Sequence, residues 1–212
     1  IQIRDGKFHS ITPAAETEDI LDYEVIDCTG MLALPGLIDN HVHFREPGPT
    51  AYKEGWESGS LAALMGGMTA VIEVQNSPPF CDSVDALLAK QELIKGRSYV
   101  NFALYANVLM WNPHLLEAMA PHCAGYKLFM GSSTGDIGIG SREIWWKAAK
   151  VAAKTGLPLV VHAEDPGYFP VEQTGNHNQN RPPQAEICSV AQAISMARNF
   201  GTEIHIFHIS CG

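Results

Sequence analysis

The chain has no apolar run approaching the roughly 18 residues that a bilayer-spanning helix needs, so no membrane partner is expected. Basic residues are scarce. Fourteen Lys and Arg stand against 23 Asp and Glu, a formal net charge of −9, and a phosphate-backbone partner would call for a basic stripe instead. No nucleic acid is expected either. The five cysteines (Cys28, Cys81, Cys123, Cys188 and Cys211) are odd in number, far apart and without a C-x-x-C pair. Neither a disulfide framework nor a zinc knuckle fits that pattern, and reduced thiols in an acidic cytoplasmic protein are the expectation. Low-complexity segments are absent as well. What is present is a 212-residue chain, 46% hydrophobic, enough for one sizeable core with a small annex.

Residues 1–35 read as short strands and turns: Ile1–Arg4, a turn at Asp5-Gly6, Lys7–Ile11, and Tyr23–Asp27. They suit part of a small β-sandwich domain. From residue 36 the pattern changes to apolar runs alternating with helical stretches. Strands are expected at Leu37–His43, Thr69–Val74, Tyr99–Ala106, Gly125–Met130, Leu157–His162 and Glu203–Ile209. Between them, apolar residues recur at the helical period, as in Val84, Leu87, Leu88, Ile94 and in Trp145, Ala149, Ala152, Ala153. Ser141 is a candidate N-cap, and Gly96, Gly156 and Gly201 close helices ahead of the next strand.

Such alternation implies βαβ units and a parallel sheet. A doubly wound sheet gathers ligands at one crevice, whereas a barrel draws functional residues from the C-terminal ends of many strands. The polar residues here follow the second distribution. The expected fold of residues 36–212 is therefore α/β, the N-terminal portion of a (β/α)8 TIM-type barrel. Eight strands close such a barrel in roughly 250 residues, and about six units are readable here, so the remaining two are expected beyond Gly212. An isolated fragment with open sheet edges is not expected to fold alone. The stretch Pro166–Pro183, rich in Gly, Asn, Gln and Pro, is a candidate lid.

His41-Val42-His43 ends the first barrel strand. Residues two apart on a strand share a face, and neutral imidazole is a good zinc ligand, although a packed or surface pair has the same spacing. Lys127 stands in the middle of the apolar run Ala124–Met130, where an ammonium is costly to bury. One reading has it snorkel to the barrel rim. The other has its amine, neutral through desolvation, react with CO2 to give a carbamate whose oxygens can bridge two metal ions. His162 ends Leu159–Val161, and His208 follows Ile204–Phe207. Alternation puts His208 on the face of Ile204 and Ile206, with His205 on the other. Singly, each reads as a hydrogen-bonded core histidine. Together, four different strands carry candidate ligands in their C-terminal halves, where a barrel gathers its site. His9, His114, His122 and His177 read as surface residues.

The segment Pro35-Gly36-Leu37-Ile38-Asp39-Asn40-His41-Val42-His43-Phe44-Arg45-Glu46-Pro47-Gly48 resembles the signature of dihydroorotases within the amidohydrolase superfamily. The similarity continues through Gly66–Val71, Gly125–Lys127, Val161-His162-Ala163-Glu164, Arg181-Pro182-Pro183-Gln184-Ala185-Glu186 and His205–Ser210. It covers most of the chain from about residue 30 onward.

That resemblance implies a two-metal centre, usually zinc. His41 and His43 would bind one ion, His162 and His208 the other, and carboxylated Lys127 would bridge them. Arg45 and Asn76 would hold the substrate carboxylate, a task suited to the bidentate arginine fork. The alternative for Arg45 is a rim salt bridge with Glu46 or Asp39. Allantoinases share the motif but typically lack an arginine at that point. The family's Met-Pro-Asn after the second strand is here Val74-Gln75-Asn76. The catalytic aspartate of the family would lie beyond residue 212. The implied activity is reversible hydrolysis of dihydroorotate to N-carbamoyl-aspartate in pyrimidine biosynthesis, by a cytoplasmic homo-oligomer acting on a small cyclic amide. An allantoinase- or hydantoinase-like enzyme, or a non-catalytic scaffold of the same fold, stands as the alternative.

Overall fold

The computed structural model describes residues 1–13, 24–132, 137–172 and 174–211. The chain divides into two compact units, Ile1–Pro35 and Gly36–Gly212.

In the first unit, β1 (Gln2–Arg4) and β2 (Lys7–Ser10) pair antiparallel. Asp5 and Gly6 link them with φ of 52° and 70°, the doubly left-handed turn whose twist matches that of a hairpin. The strand expected at Tyr23–Asp27 is not found. Tyr23 lies outside the described residues, and Glu24–Asp27 form no strand. Instead the Asp27 carboxylate accepts from the Thr29 N–H at 2.9 Å and its hydroxyl at 2.6 Å. Such a local turn competes with extended pairing.

In the second unit, β3 (Leu37–Val42), β4 (Met68–Glu73), β5 (Asn101–Asn107), β6 (Gly125–Phe129), β7 (Leu159–His162) and β8 (Ile204–Ile206) form one sheet in sequential order. Every adjacent pair is parallel. The helices α1 (Trp56–Met65), α2 (Val84–Ile94), α3 (Leu116–Met119), α4 (Arg142–Thr155), α5 (His177–Asn180) and α6 (Pro183–Phe200) lie between strands in the sequence. The sheet curls as part of a TIM-type barrel. Both long C-terminal helices stop as anticipated, at Gly156 and Gly201 with φ of 71° and 68°, a conformation glycine adopts without steric cost. Ser141 occupies the N-cap position of α4 but makes no side-chain cap bond. Helix α2 does carry a side-chain cap, Ser83 accepting from the Ala86 N–H at 3.2 Å.

Strand alternation divides the apolar residues into two layers. Val71, Leu104, Ala106, Tyr126, Leu128, Leu159 and Val161 belong to the larger core, which also contains Trp56, Leu87, Ile94 and Trp145 from the helices. Val74, Tyr105, Phe129 and Val160 form a second cluster on the opposite face, joined by Ile72 and Phe207. Lys127 alternates with Tyr126 and Leu128, and His162 with Val161, so both fall on this second face.

The stretch Pro166–Pro183 is more ordered than its composition suggests. Around residue 173, which is outside the described residues, it holds a 3-10 turn at Pro166–Tyr168 and the short helix α5. All five cysteines are free thiols. Among the described residues no helix is long and apolar enough to cross a membrane.

Candidate functional site

His41 and His43 stand at the C-terminal end of β3 with ring centroids 5.0 Å apart. His43 Nδ1 lies 2.8 Å from the Val74 carbonyl. A carbonyl can only accept, so Nδ1 carries the proton and the Nε2 lone pair is left free, the usual state of a metal-ligating imidazole. Burial, then the positive charge of Lys127, pushes the His41 pKa down to about 3. Burial likewise brings His43 down to about 4, against the Val74 hydrogen bond that raises it. Both rings are neutral at physiological pH.

Lys127 sits on β6 with 1% of its surface exposed, and its Nζ is buried without a hydrogen-bond partner. It does not snorkel. Its nearest features are aromatic faces, with Nζ 4.6 Å from the Phe129 centroid and 4.4 Å from that of Phe207. Desolvation alone pushes its pKa down to about 7, leaving a substantial fraction of neutral amine.

His162 and His208 meet across the β7–β8 end, Nδ1 to Nε2 at 3.0 Å. His162 Nε2 lies 3.1 Å from Glu164 Oε2. Glu164 is held in turn by Arg181, whose guanidinium also donates to the Ser132 carbonyl at 2.6 Å and stacks on Phe169 at 4.3 Å. Burial would raise the Glu164 pKa, but its hydrogen bond to His162 and the Arg181 charge outweigh that and hold it low. An ionised Glu164 fixes the His162 proton on Nε2. The facing nitrogens of the two rings then share a single proton, a position a cation could take instead. Burial and the neighbouring His162 and Lys127 charges also lower the His208 pKa.

Alternation does not explain how His208 arrives there. Ile204 and Ile206 pack on the larger core, so a continued strand would turn His208 away from His162. Strand β8 ends at Ile206, and Phe207 takes the inner position, its ring stacked 4.1 Å from His41. The irregular backbone that follows swings His208 back toward His162. The rings of His41 and His208 lie 6.0 Å apart.

Arg45 follows the β3 pair by two residues, and Asn76 follows the end of β4. Arg45 adopts φ of 65°, a conformation costing a non-glycine residue on the order of 1–3 kcal/mol. It forms neither of the ion pairs expected as its alternative. Glu46 pairs instead with Arg97 at 2.7 Å and accepts from the Trp56 N–H at 2.9 Å, and Asp39 accepts from the His41 N–H at 3.0 Å. Next to Asn76, Gln75 donates to the carbonyls of Pro47 (3.0 Å) and Ser77 (2.6 Å) and accepts from buried Lys90. Lys90 is also ion-paired with buried Glu73.

Among the described residues, five buried side-chain atoms lack a hydrogen-bond partner: Arg45 Nη1, Glu73 Oε1, Asn76 Oδ1, Lys127 Nζ and Ser189 Oγ. Three of the five belong to residues singled out from sequence. Unpartnered buried polar groups are costly, and their concentration here marks groups awaiting a ligand. Also among the described residues, no three His, Cys, Asp or Glu side chains form a ready-made cation cage. The donor set fits a binuclear centre only if Lys127 contributes anionic oxygens between the two imidazole pairs, which a carbamate would supply. Sequence reading gave no role to Phe207, Glu164 or Arg181, although all three fall within the motifs quoted above. His9, His114 and His177 are exposed and outside this cluster, and His122 is half-buried.

The class this architecture defines is the parallel TIM-type barrel, here with imidazoles and a buried lysine carried on its strands. More specifically, the family model described as dihydro-orotase-like matches residues 30–212, and the chain belongs to that family. Relatives include a dihydroorotase from Pyrococcus abyssi, 36% identical over 99% of this chain and 46% of that protein. An allantoinase from Rubrobacter xylanophilus is 31% identical over 100% of this chain and 49% of that protein. In fold, the chain resembles the L-hydantoinase (dihydropyrimidinase) from Arthrobacter aurescens with a TM-score of 0.79, at 24% identity over 91% of this chain and 46% of that one. The relatives and neighbours are cyclic amidohydrolases. The chain spans about half the length of the curated relatives it matches.

Proposed function

We propose that the protein containing this chain is a metal-dependent cyclic amidohydrolase, and that its reaction is the reversible hydrolysis of dihydroorotate to N-carbamoyl-aspartate in pyrimidine synthesis. The observation that carries the reading is the buried, unpartnered Lys127 amine, on the same sheet as four imidazoles that the ends of three strands, β3, β7 and β8, supply. Bound divalent ions, zinc by the choice of nitrogen donors, would polarise the amide carbonyl and acidify a water. Each of this chain's residues has a distinct task. His41 and His43 offer one pair of neutral imidazoles, His162 and His208 the other. The Lys127 amine would add to CO2, forming an N–C bond as one C–O π bond opens and losing one N–H proton to solvent, and the carbamate would offer two anionic oxygens to the ions that the imidazole pairs hold. Arg45, with an unpartnered Nη1, and the Asn76 amide N–H groups receive the substrate carboxylate, which leaves the unpartnered Asn76 Oδ1 to accept from a ring N–H. Hydrolysis then adds water across the ring C–N bond, forming C–O, breaking C–N and protonating the departing nitrogen.

Allantoin is the second reading, favoured by relatives of comparable identity that carry the name allantoinase. Arg45 argues for a substrate bearing a carboxylate. The test is elemental analysis of the full-length protein, paired with turnover of dihydroorotate, allantoin and hydantoin. About two zinc ions per chain and preferred turnover of dihydroorotate are expected. Preference for allantoin would move the substrate assignment, and a metal-free protein inactive on all three would contradict the enzyme reading.

A further inference from the structure

His208 lies beyond the last residue of β8. Strand β8 ends at Ile206, and the last sheet bond beyond it runs from the Phe207 N–H to the Val161 carbonyl at 3.2 Å. Yet the His208 ring stands 3.0 Å from His162, in a direction that strand alternation would not give it. Something must fix the backbone past Phe207.

Glu186, in the first turn of α6, reaches that segment. The Ser210 N–H donates to both of its carboxylate oxygens, at 2.8 and 3.0 Å. The Cys211 N–H donates to Oε1 at 3.1 Å, and the Cys211 thiol donates to the same oxygen at 3.1 Å. Charge-assisted bonds to backbone N–H groups are roughly twice as strong as neutral ones, and two successive amides on one carboxylate fix a direction of the chain as well as a distance. The helix that carries Glu186 is itself tied to the neighbouring ligand. The Asp165 N–H donates to the Ala185 carbonyl at 2.9 Å, three residues beyond His162.

We infer that Glu186 is a positioning residue, whose carboxylate clamps the Ser210 and Cys211 amides and so presents His208 to His162. The inference rests on the metal-site reading for its functional consequence but not for its geometry. On this arrangement α6 is the brace of the second imidazole pair: Arg181 just ahead of it steadies His162 through Glu164, and Glu186 steadies His208.

Amide hydrogen exchange of the full-length protein tests the clamp, comparing wild type with Glu186→Ala and Glu186→Gln. In Glu186→Ala, exchange across residues 207–211 should rise about tenfold or more, with the C-terminal half of α6 unchanged. Glu186→Gln keeps one acceptor oxygen and should recover part of the protection. Chelator competition on the same proteins should show one zinc ion, that of the His162–His208 pair, bound about 10- to 100-fold less tightly in Glu186→Ala, the range typical of lost supporting contacts, and the other ion unaffected. Unchanged exchange in both variants would overturn the clamp. Faster exchange with both zinc affinities unchanged would overturn the positioning role. A wild-type protein that binds no zinc would contradict the proposed function, and exchange alone would then uphold or overturn the clamp.

Discussion

The two imidazole pairs are built differently. His41 and His43 come from one strand, two residues apart, and their orientation is fixed by β3 itself and by one backbone carbonyl, Val74 O, at 2.8 Å from His43. His162 and His208 come from different strands, 46 positions apart in sequence. Side-chain carboxylates hold them in place, Glu164 on the ring of one and Glu186 on the backbone of the other. The first pair is therefore a local structure, stable as long as β3 stays paired with β4. The second is a tertiary structure, dependent on α6 and the chain leading into it. Damage to the carboxylates should loosen one side of the site and spare the other.

Lys127 stands on β6, between the strands of the two pairs in the sheet order, and removing it should have the largest effect. In the full-length protein Lys127→Met is expected to lower kcat by at least about a thousandfold, on the order of 4 kcal/mol in transition-state energy, and to release metal from both sides. The same substitution should stabilise the metal-free protein by a few kcal/mol. The pKa of Lys127 falls from 10.5 to about 7 on burial, so between those values the unfolded chain holds a proton that the folded chain lacks. Stability then rises with pH from about 7 to 10.5, because it rises wherever the unfolded state binds more protons. Chemical denaturation of the chelator-treated protein across that range should show the slope in wild type and a flatter line in Lys127→Met. A wild-type line with no slope would remove Lys127 from the buried position between the pairs.

Arg45→Ala sharpens the comparison on the β3 side. It should raise KM for dihydroorotate by about 100-fold, the loss of a charge-assisted bidentate contact of roughly 2–3 kcal/mol, with metal content unchanged. Hydantoin, which has no carboxylate, should be indifferent to the change. Equal losses on both substrates would mean Arg45 supports the fold of its loop rather than the substrate.

Glu164→Gln should act on the other side alone. The Arg181 contact and the His162 tautomer both weaken, and the metal ion of the His162–His208 pair should be lost with about 10-fold lower affinity, read by chelator competition. Acid should give the smallest and most one-sided effect. His41 and His43 have folded pKa values of about 3 and about 4, below the ordinary 6.5. The unfolded chain therefore binds more protons between those values and 6.5, and the metal-free protein should lose stability as pH falls through that window. In the double variant His41→Asn, His43→Asn the loss should shrink. An unchanged acid profile would show that the β3 imidazoles are not buried as a neutral pair.

The same contrast explains what could be read from sequence. The six strands of the second unit and their parallel order follow from apolar runs alternating with 3.6-period stretches, and the H-x-H spacing on a strand fixes a shared face without any tertiary information. Lys127 was legible because an isolated amine in a fully apolar run has few ways to be satisfied. The approach of His208 was not. Period-two alternation assigns it to the face of Ile204 and Ile206, and only the early end of β8 and the Glu186 contacts reverse that. Phe207 was missed for the same reason, since its inner position appears only when the strand's register is known. Glu73, Lys90 and Gln75 form a buried polar network that links α2 to the Arg45 loop. Lys90 lies 17 and 15 residues from Glu73 and Gln75, and nothing in the local sequence pairs it with them.

The central claim is that two imidazole pairs face each other across a lysine-derived anion. Anomalous diffraction at the zinc edge from crystals of the zinc-loaded, full-length protein tests it most directly. Two peaks about 3.5–4 Å apart are expected, one beside His41 and His43, the other beside His162 and His208, with density continuous with Lys127 Nζ between them. Peaks elsewhere, or a Lys127 side chain still ending in a free amine beside two bound ions, would contradict it.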